Sequence, residues 1–127
     1  MTGLNKNSPR PTDIKLHQVS RILELDFDDG AHFSIPCELL RVYSPSAEVQ
    51  GHGPGQELLQ TGKEQVNITA IEPVGLYALK LVFSDGHDTG LYSWDLLYKL
   101  GSNQEQLWQD YLSRLTVAGI TRATIPA

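Results

Sequence analysis

The amino-acid sequence predicts an α+β fold: a small, mainly antiparallel, twisted β-sheet with short helices and a C-terminal amphipathic helix packed on it. Three observations support this class. Apolar residues alternate with polar ones in several short runs, as in strands with one buried face. Asp-Gly pairs at 29–30 and 85–86 follow two of these runs and suit hairpin turns, because both residues tolerate positive φ. Towards residue 115, apolar residues recur every three or four positions, as on one face of a helix.

The first half of the chain is predicted to contain strands around one hairpin, followed by a helix. Near-alternation from Ile14 predicts strands that continue to Phe27, and the turn at 28–30 leads to a return strand at 32–35. Pro36 suits a first helical turn, so residues 37–42 are expected to form a short helix. Residues 44–63 carry six glycines and prolines, for which we expect a long mobile loop without helix or strand.

The second half is predicted to repeat strand, turn and strand before two helices. Strands are expected at 66–70, 77–83 and 89–92, with turns at 72–75 and 84–87. Ser93 can cap a helix that stops at Gly101, and Ser102 with Glu105 has the spacing of a capping box for the last helix. That helix should end at Gly119. Its apolar stripe consists of Leu107, Trp108, Tyr111, Leu112 and Leu115.

Length and charge limit the domain count and the possible partners. The 127 residues suit one domain, expected at 13–119 between a flexible tail at 1–12 and a frayed tail at 120–127. A formal net charge of -5 disfavours nucleic acid, and no apolar run is long enough to span a membrane. The first residues lack the apolar run of a secretory signal and Cys37 is the single cysteine, so a cytoplasmic protein without disulfides is expected.

One pattern occurs twice. The sequence LxLxFxDG is found at 23–30 and again at 79–86, each time before a short predicted strand and a Leu-Leu helix. The repetition indicates either a duplicated unit or two hairpins that solve the same turn problem with the same residues. In both cases the two Asp-Gly turns should lie at comparable places in the sheet.

Two segments carry a family resemblance. FDDG-x4-IPCELLRVYSPSAE and IEPVG-x-YALKLVFSDGHDTGLYSWDLLYKL resemble the bacterial DUF971 family, also called the gamma-butyrobetaine hydroxylase-like N-terminal domain, over about residues 14–119. The resemblance implies a non-catalytic accessory or binding module. In some relatives the module precedes a barrel that holds iron and 2-oxoglutarate, and in others it is joined to ATPases of iron-sulfur cluster assembly. An iron-sulfur assembly protein or an oxygenase-type enzyme is therefore an expected kind of partner.

The resemblance also bears on metal binding. Zinc-binding members of the family carry three cysteines after a Leu-Arg pair and a histidine in a later DGH turn. Here Leu40-Arg41 is present and His87 matches the histidine, but the cysteine positions hold Ser44, Ser46 and Val49. No cofactor is therefore expected. The alternative is an iron or zinc protein, or a component of a metal-dependent enzyme, that uses the 44–63 loop with His52, His87 and Asp88.

The remaining candidate chemistry is a binding surface. A reactive Cys37 with His32 or His87 as base is less expected than an inert buried thiol in a Leu-rich turn. Loops on a rigid scaffold often carry recognition, and the long loop collects polar and aromatic side chains beside the Leu-Arg pair. The predicted binding loop consists of Arg41, Tyr43, Ser44, Ser46, Glu48, His52 and His87.

Overall fold

A computed structural model of the chain describes residues 9–51 and 58–122. In chain order its elements are β1 (Pro11–His17), β2 (Ile22–Phe27), β3 (His32–Pro36), α1 (Cys37–Val42), α2 (Ala47–Gln50), β4 (Ile68–Val74), β5 (Ala78–Phe83), β6 (Leu91–Ser93), α3 (Trp94–Ser102) and α4 (Gln104–Val117).

The strands form two antiparallel sheets of three strands each, with the orders β1-β2-β3 and β4-β5-β6. The predicted α+β class with antiparallel strands and a C-terminal helix is thus confirmed. The single sheet that was expected is instead split into two. The pattern of a strand shows which of its faces is buried, but it does not show which other strand lies beside it.

The recurring LxLxFxDG pattern builds the same hairpin in both sheets. In each, the phenylalanine N–H donates to a carbonyl four residues on: Phe27 to Ala31 and Phe83 to His87, both at 2.9 Å. Gly30 and Gly86 have φ values of 89° and 90°, in the left-handed region that glycine adopts without strain. The two turns therefore occupy comparable places, as expected, and each lies between the central and the last strand of its sheet.

One apolar core connects the two sheets. The inward residues of the central strands β2 and β5 are buried in this core. Leu39 and Leu40 of α1 are buried in it as well, as predicted. Helix α4 extends the core at one end, where Tyr111 and Leu115 pack against Val42 of α1. Because α1 contributes buried residues both to the core between the sheets and to the contact with α4, the surroundings of its polar residues depend on how all of these elements pack. The inward residues of the central strands are Leu23, Leu25, Phe27, Leu79, Leu81 and Phe83.

The boundary between α3 and α4 differs from the prediction. Gly101 does not end α3 but lies inside it, where an added Cβ would be 2.4 Å from Cγ of Phe33. The expected capping box does not form, because the Ser102 hydroxyl donates to the Tyr98 carbonyl at 2.8 Å. Asn103 separates the two helices. Glycine here permits close packing of a helix on a ring, a contact that spacing along the chain does not reveal.

The described part of the long segment after α1 has more regular structure than predicted. It contains the one-turn helix α2, which begins after Ser46, whose hydroxyl accepts the N–H of Glu48 at 3.2 Å. The expectation of a loop without helix was wrong here, because positions 46–50 carry none of the six glycines and prolines and do carry an N-cap serine. Similarly, β4 continues through the predicted turn at 72–75 as far as Val74, and the chain turns at Gly75.

Both predicted tails contain described residues with defined contacts. Strand β1 begins at Pro11, and the Asp28 N–H donates to the Arg10 carbonyl at 2.9 Å. Beyond α4, the Arg122 side chain reaches back to Glu38 of α1. The rest of each tail, together with residues 52–57 of the long segment, lies outside the described residues.

Candidate functional site

A polar pocket lies where α1, α2 and the second Asp-Gly turn meet. It has a volume of about 320 Å³ and opens to solvent. Its walls come from segments far apart in sequence, so only the fold assembles it. We call it the Arg41 pocket; it is lined by Arg41, Glu48, Val49, Gln60, Asp85, Gly86 and His87.

Arg41 is the buried cation of this pocket. Its side chain is 8% exposed, its Nε donates to Asp85 at 2.9 Å, and its Nη1 donates to Gln60 at 3.0 Å. Lys63 binds the same Asp85 oxygen at 2.6 Å. Burial alone raises the pKa of the Asp85 carboxyl, but the hydrogen bonds from Lys63 and the His87 backbone and the charge of Arg41 outweigh it and lower this pKa to about 2. Asp85 is therefore a firmly ionised partner for both cations.

His87 lies between a serine and a carboxylate. Its Nε2 is 2.8 Å from the Ser44 hydroxyl and its Nδ1 is 3.2 Å from Glu48, while 5% of its side chain is exposed. Desolvation, followed by the charge of Arg41, lowers the pKa of His87 despite the opposing carboxylates of Glu48 and Asp85. The imidazole is then neutral at pH 7. Since a carboxylate only accepts, Nδ1 carries the proton and Nε2 accepts from Ser44.

Further hydrogen bonds attach α2 to the segment between His87 and β6. Thr89 donates to Glu48 at 2.7 Å, and this bond is the main cause of the lowered pKa of Glu48. The Ser46 hydroxyl is 2.6 Å from that of Thr89, and the Ser46 N–H donates to the Ser44 hydroxyl at 3.2 Å. Every hydroxyl in this group thus has a partner, and together they hold α2 against the second half of the chain.

The order serine, histidine and carboxylate has the connectivity of a nucleophile, its base and the group that orients the base. Access distinguishes this arrangement from a catalytic one. Ser44 has 0% of its surface exposed and does not line the Arg41 pocket. A Cβ on the neighbouring Gly90 would be only 2.5 Å from its Oγ. A substrate in the pocket would meet the ring of His87 but not the serine oxygen, so the arrangement orients His87 and fixes α2.

The structure brings together most of the predicted binding loop. Arg41, Glu48 and His87 line the pocket, and Ser44 and Ser46 support it from behind. These two serines are buried, which corrects their assignment to an exposed recognition loop. Both serines are buried because their hydroxyls hydrogen-bond to His87 and Thr89 beneath the surface.

Tyr43 faces the other way. Its hydroxyl donates to the Leu107 carbonyl at 2.7 Å, and the Arg114 guanidinium lies over its ring at 5.5 Å. Its treatment as an exposed loop position is therefore wrong, because the half-buried ring packs against α4. Asp88 is 3.8 Å from Lys80 and does not line the pocket. His52 lies outside the described residues.

Four polar residues of the site were not singled out from the sequence: Gln60, Lys63, Asp85 and Thr89. Asp85 was interpreted only as a turn residue, which it also is. The signal that could have identified it is Arg41, since a cation on the inner side of a short Leu-rich helix needs a carboxylate partner. Gln60 and Lys63 lie in a segment without regular periodicity, so no pattern placed them.

The described part of the chain shows little sign of metal or thiol chemistry. Within it, no group of three or more His, Cys, Asp and Glu residues is arranged to hold a metal ion. Cys37 is fully buried, and this burial raises the pKa of its thiol to about 11, so the protonated, unreactive form prevails at neutral pH. None of the helices in residues 9–51 and 58–122 is long and apolar enough to cross a membrane.

Comparison with known proteins gives consistent matches. The profile of the family described as gamma-butyrobetaine hydroxylase-like, N-terminal matches residues 14–98. A protein with an NMR solution structure is 52% identical, with 100% of this chain and 98% of that chain covered and a TM-score of 0.78. A second NMR structure is 47% identical over 95% of both chains, with a TM-score of 0.80.

A crystal structure from Acidithiobacillus ferrooxidans ATCC 23270 is also similar. It is described as a protein with unknown function of the DUF971 family, and it is 38% identical to this chain. The match covers 72% of this chain and 91% of that one, with a TM-score of 0.61. A search of curated proteins found no significant match.

Proposed function

The chain belongs to the gamma-butyrobetaine hydroxylase-like, N-terminal family, and we propose that it is a non-catalytic binding module that recognises a protein partner through the Arg41 pocket. The observation that carries this proposal is the pocket itself. It opens to solvent, it is polar, and its two most buried ionisable side chains, Arg41 and His87, are held by partners on separate segments.

The rigidity of the pocket supports binding. Arg41 and His87 are each more than nine-tenths buried and hydrogen-bonded on two sides, so their positions are set before any partner arrives. Binding then costs little ordering of these groups, which is the advantage of a pre-formed site. A non-catalytic role fits the inaccessibility of the Ser44 hydroxyl, the one side chain here with the connectivity of a nucleophile.

Glu48 is the part of the site that a partner can reach first. Its side chain is 64% exposed, and Oε1 receives both Thr89 and His87. Within the described residues, Oε2 has no hydrogen-bond partner, so it is available to a Lys, an Arg or a backbone N–H of another protein. By family association, the first partners to test are proteins of iron-sulfur assembly and oxygenase-type enzymes, with the cytoplasm as the setting and no cofactor on this chain.

Affinity capture from the native cell, with matched variants, tests the proposal. Glu48→Lys reverses the exposed charge of the pocket, Glu48→Gln removes it, and Glu72→Lys makes the same reversal on exposed strand β4, away from the pocket. We expect both Glu48 variants to lose the captured partner while Glu72→Lys keeps it. The free energy of unfolding of Glu48→Gln, measured by thermal melting, should stay within about 1 kcal/mol of that of the unmodified chain, as for other exposed positions. Full capture by Glu48→Lys would overturn the proposal.

Iron or zinc binding is the alternative function. In this structure both ring nitrogens of His87 are already hydrogen-bonded, and Asp88 pairs with Lys80, so two of its three proposed ligands are engaged elsewhere. Metal analysis of the full chain, purified without chelator, decides between the two functions. A stoichiometric metal that is lost on His87→Gln would replace the binding-module proposal with the metal-binding one.

A further inference from the structure

A second site, at the first turn of α1, holds an arginine of this same chain. Arg122 lies beyond the end of α4 and belongs to no helix or strand. Its Nε donates to one oxygen of Glu38 at 2.9 Å, and its Nη2 donates to the other oxygen. Its guanidinium also lies over the Trp108 ring, with the central carbon 5.0 Å from the ring centroid. A two-point carboxylate contact and an aromatic face together are the features that recognise a guanidinium group.

The carboxylate of Glu38 is buried and therefore needs a cation as its partner. Its side chain is 7% exposed, and its carboxylate lies among residues of α1 that pack into the core. A carboxylate at such a depth is costly to leave without a positive partner. When Arg122 leaves, therefore, another cation of similar shape is strongly favoured to take its place. A lysine ammonium would match only one of the two carboxylate oxygens at a time.

Beside the bound guanidinium there is space for more than one side chain. A cavity of about 420 Å³ opens here, a volume in the usual range of ligand pockets. Its walls are mainly apolar, with a second carboxylate at the rim from Glu105. It is lined by Pro36, Glu38, Leu39, Gln104, Glu105, Trp108 and Arg122.

We propose that Glu38 and Trp108 form an arginine-binding site that Arg122 occupies in cis, and that an arginine of a partner peptide displaces it, with the flanking peptide residues lying in the adjacent cavity. Charge complementarity supports this occupant: two carboxylates line the cavity, and the chain carries a formal net charge of -5. Because Arg122 lies outside every helix and strand, its release leaves the two sheets and α4 intact. Arg122 is thus an internal competitor of the peptide for this site.

Peptide binding to variants of the full chain tests whether Arg122 competes with a peptide arginine for this site. The probe is a fluorescein-labelled peptide Gly-Gly-Arg-Gly-Gly with blocked ends, and its control carries Lys in place of Arg. We expect Arg122→Ala to bind the arginine peptide at least about tenfold more tightly than the unmodified chain, since the internal competitor is gone. The lysine peptide should bind at least about tenfold more weakly to that variant than the arginine peptide. In the double variant Arg122→Ala, Glu38→Gln, the gain should disappear.

A second measurement keeps the test valid if Arg122→Ala folds poorly. Guanidinium chloride at low millimolar concentration should raise its melting temperature above that in the same concentration of NaCl, and it should not raise that of the double variant. Equal melting in the two salts, or no preference for the arginine peptide, would overturn the proposal. Sedimentation that showed Arg122→Ala to be a dimer would also overturn it, because a second copy would then fill the site.

Discussion

Replacing Asp85 by Asn removes the carboxylate that holds both Arg41 and Lys63. The isosteric amide keeps a carbonyl for one hydrogen bond but loses the charge. The drop in the pKa of Asp85 from its ordinary 3.8 to about 2 corresponds to about 2 kcal/mol of stabilisation at neutral pH. The buried Arg41 is also left without its carboxylate, which adds to the loss. Because the Asp85 side chain is 24% exposed, water solvates the site and offsets part of the lost stabilisation. We therefore expect the free energy of unfolding to fall by about 2 to 4 kcal/mol.

The pH dependence of this effect has a definite sign. The pKa of Asp85 is lower in the folded protein than in the unfolded chain, so its stabilisation is complete well above 3.8 and is lost as the pH falls towards about 2. At about pH 3 the contribution of the charge should be about half of its value at pH 7. The difference in unfolding free energy between the unmodified chain and Asp85→Asn should shrink accordingly.

Urea unfolding followed by circular dichroism at pH 7 and pH 3 measures both quantities. The matched control is Asp88→Asn in the segment after the same turn, where the carboxylate is 47% exposed and 3.8 Å from Lys80. Exposed pairs of this kind contribute little, so this control should stay within about 0.5 kcal/mol of the unmodified chain. If Asp85→Asn were no more destabilised than Asp88→Asn, or if its deficit were equal at both pH values, the account of Arg41 burial would be refuted.

Three further predictions follow from individual contacts. Imidazole NMR should show a neutral His87 with its proton on Nδ1 and a pKa below that of a free histidine. The contribution of His87 to the free energy of unfolding is therefore present above about pH 6.5 and is lost as the pH falls further. A proton found on Nε2 near pH 7 would contradict this assignment. Gly101→Ala should destabilise the fold by about 1 to 3 kcal/mol despite the better helix propensity of Ala, because its Cβ would meet the Phe33 ring, whereas Ser102→Ala in the same turn should change thermal melting little. Cys37 should resist alkylation at pH 8 in the native protein and react readily in urea, and rapid labelling of the native chain would refute its burial.

The class of the fold and most of its elements could be predicted from the sequence. Alternation predicted the central strands, and the Asp-Gly turns predicted the hairpins, because both depend on contacts between residues close in the chain. The three- and four-residue stripe predicted α4 for the same reason. The resemblance located Arg41, Glu48 and His87 as one candidate surface, and the structure does bring them together.

Several features that the sequence did not reveal are contacts between segments distant in the chain. Gly101 was predicted as a helix stop and is instead a packing position in α3 against Phe33 of strand β3. The split into two sheets, the partnership of Asp85 with Arg41, and the return of Arg122 to Glu38 likewise join residues with no common period. The sequence by itself determined which residues turn inward and where the chain turns, since these depend on local sterics and burial. Only the tertiary structure decided which buried charges meet, because a pairing across the core depends on how whole elements pack.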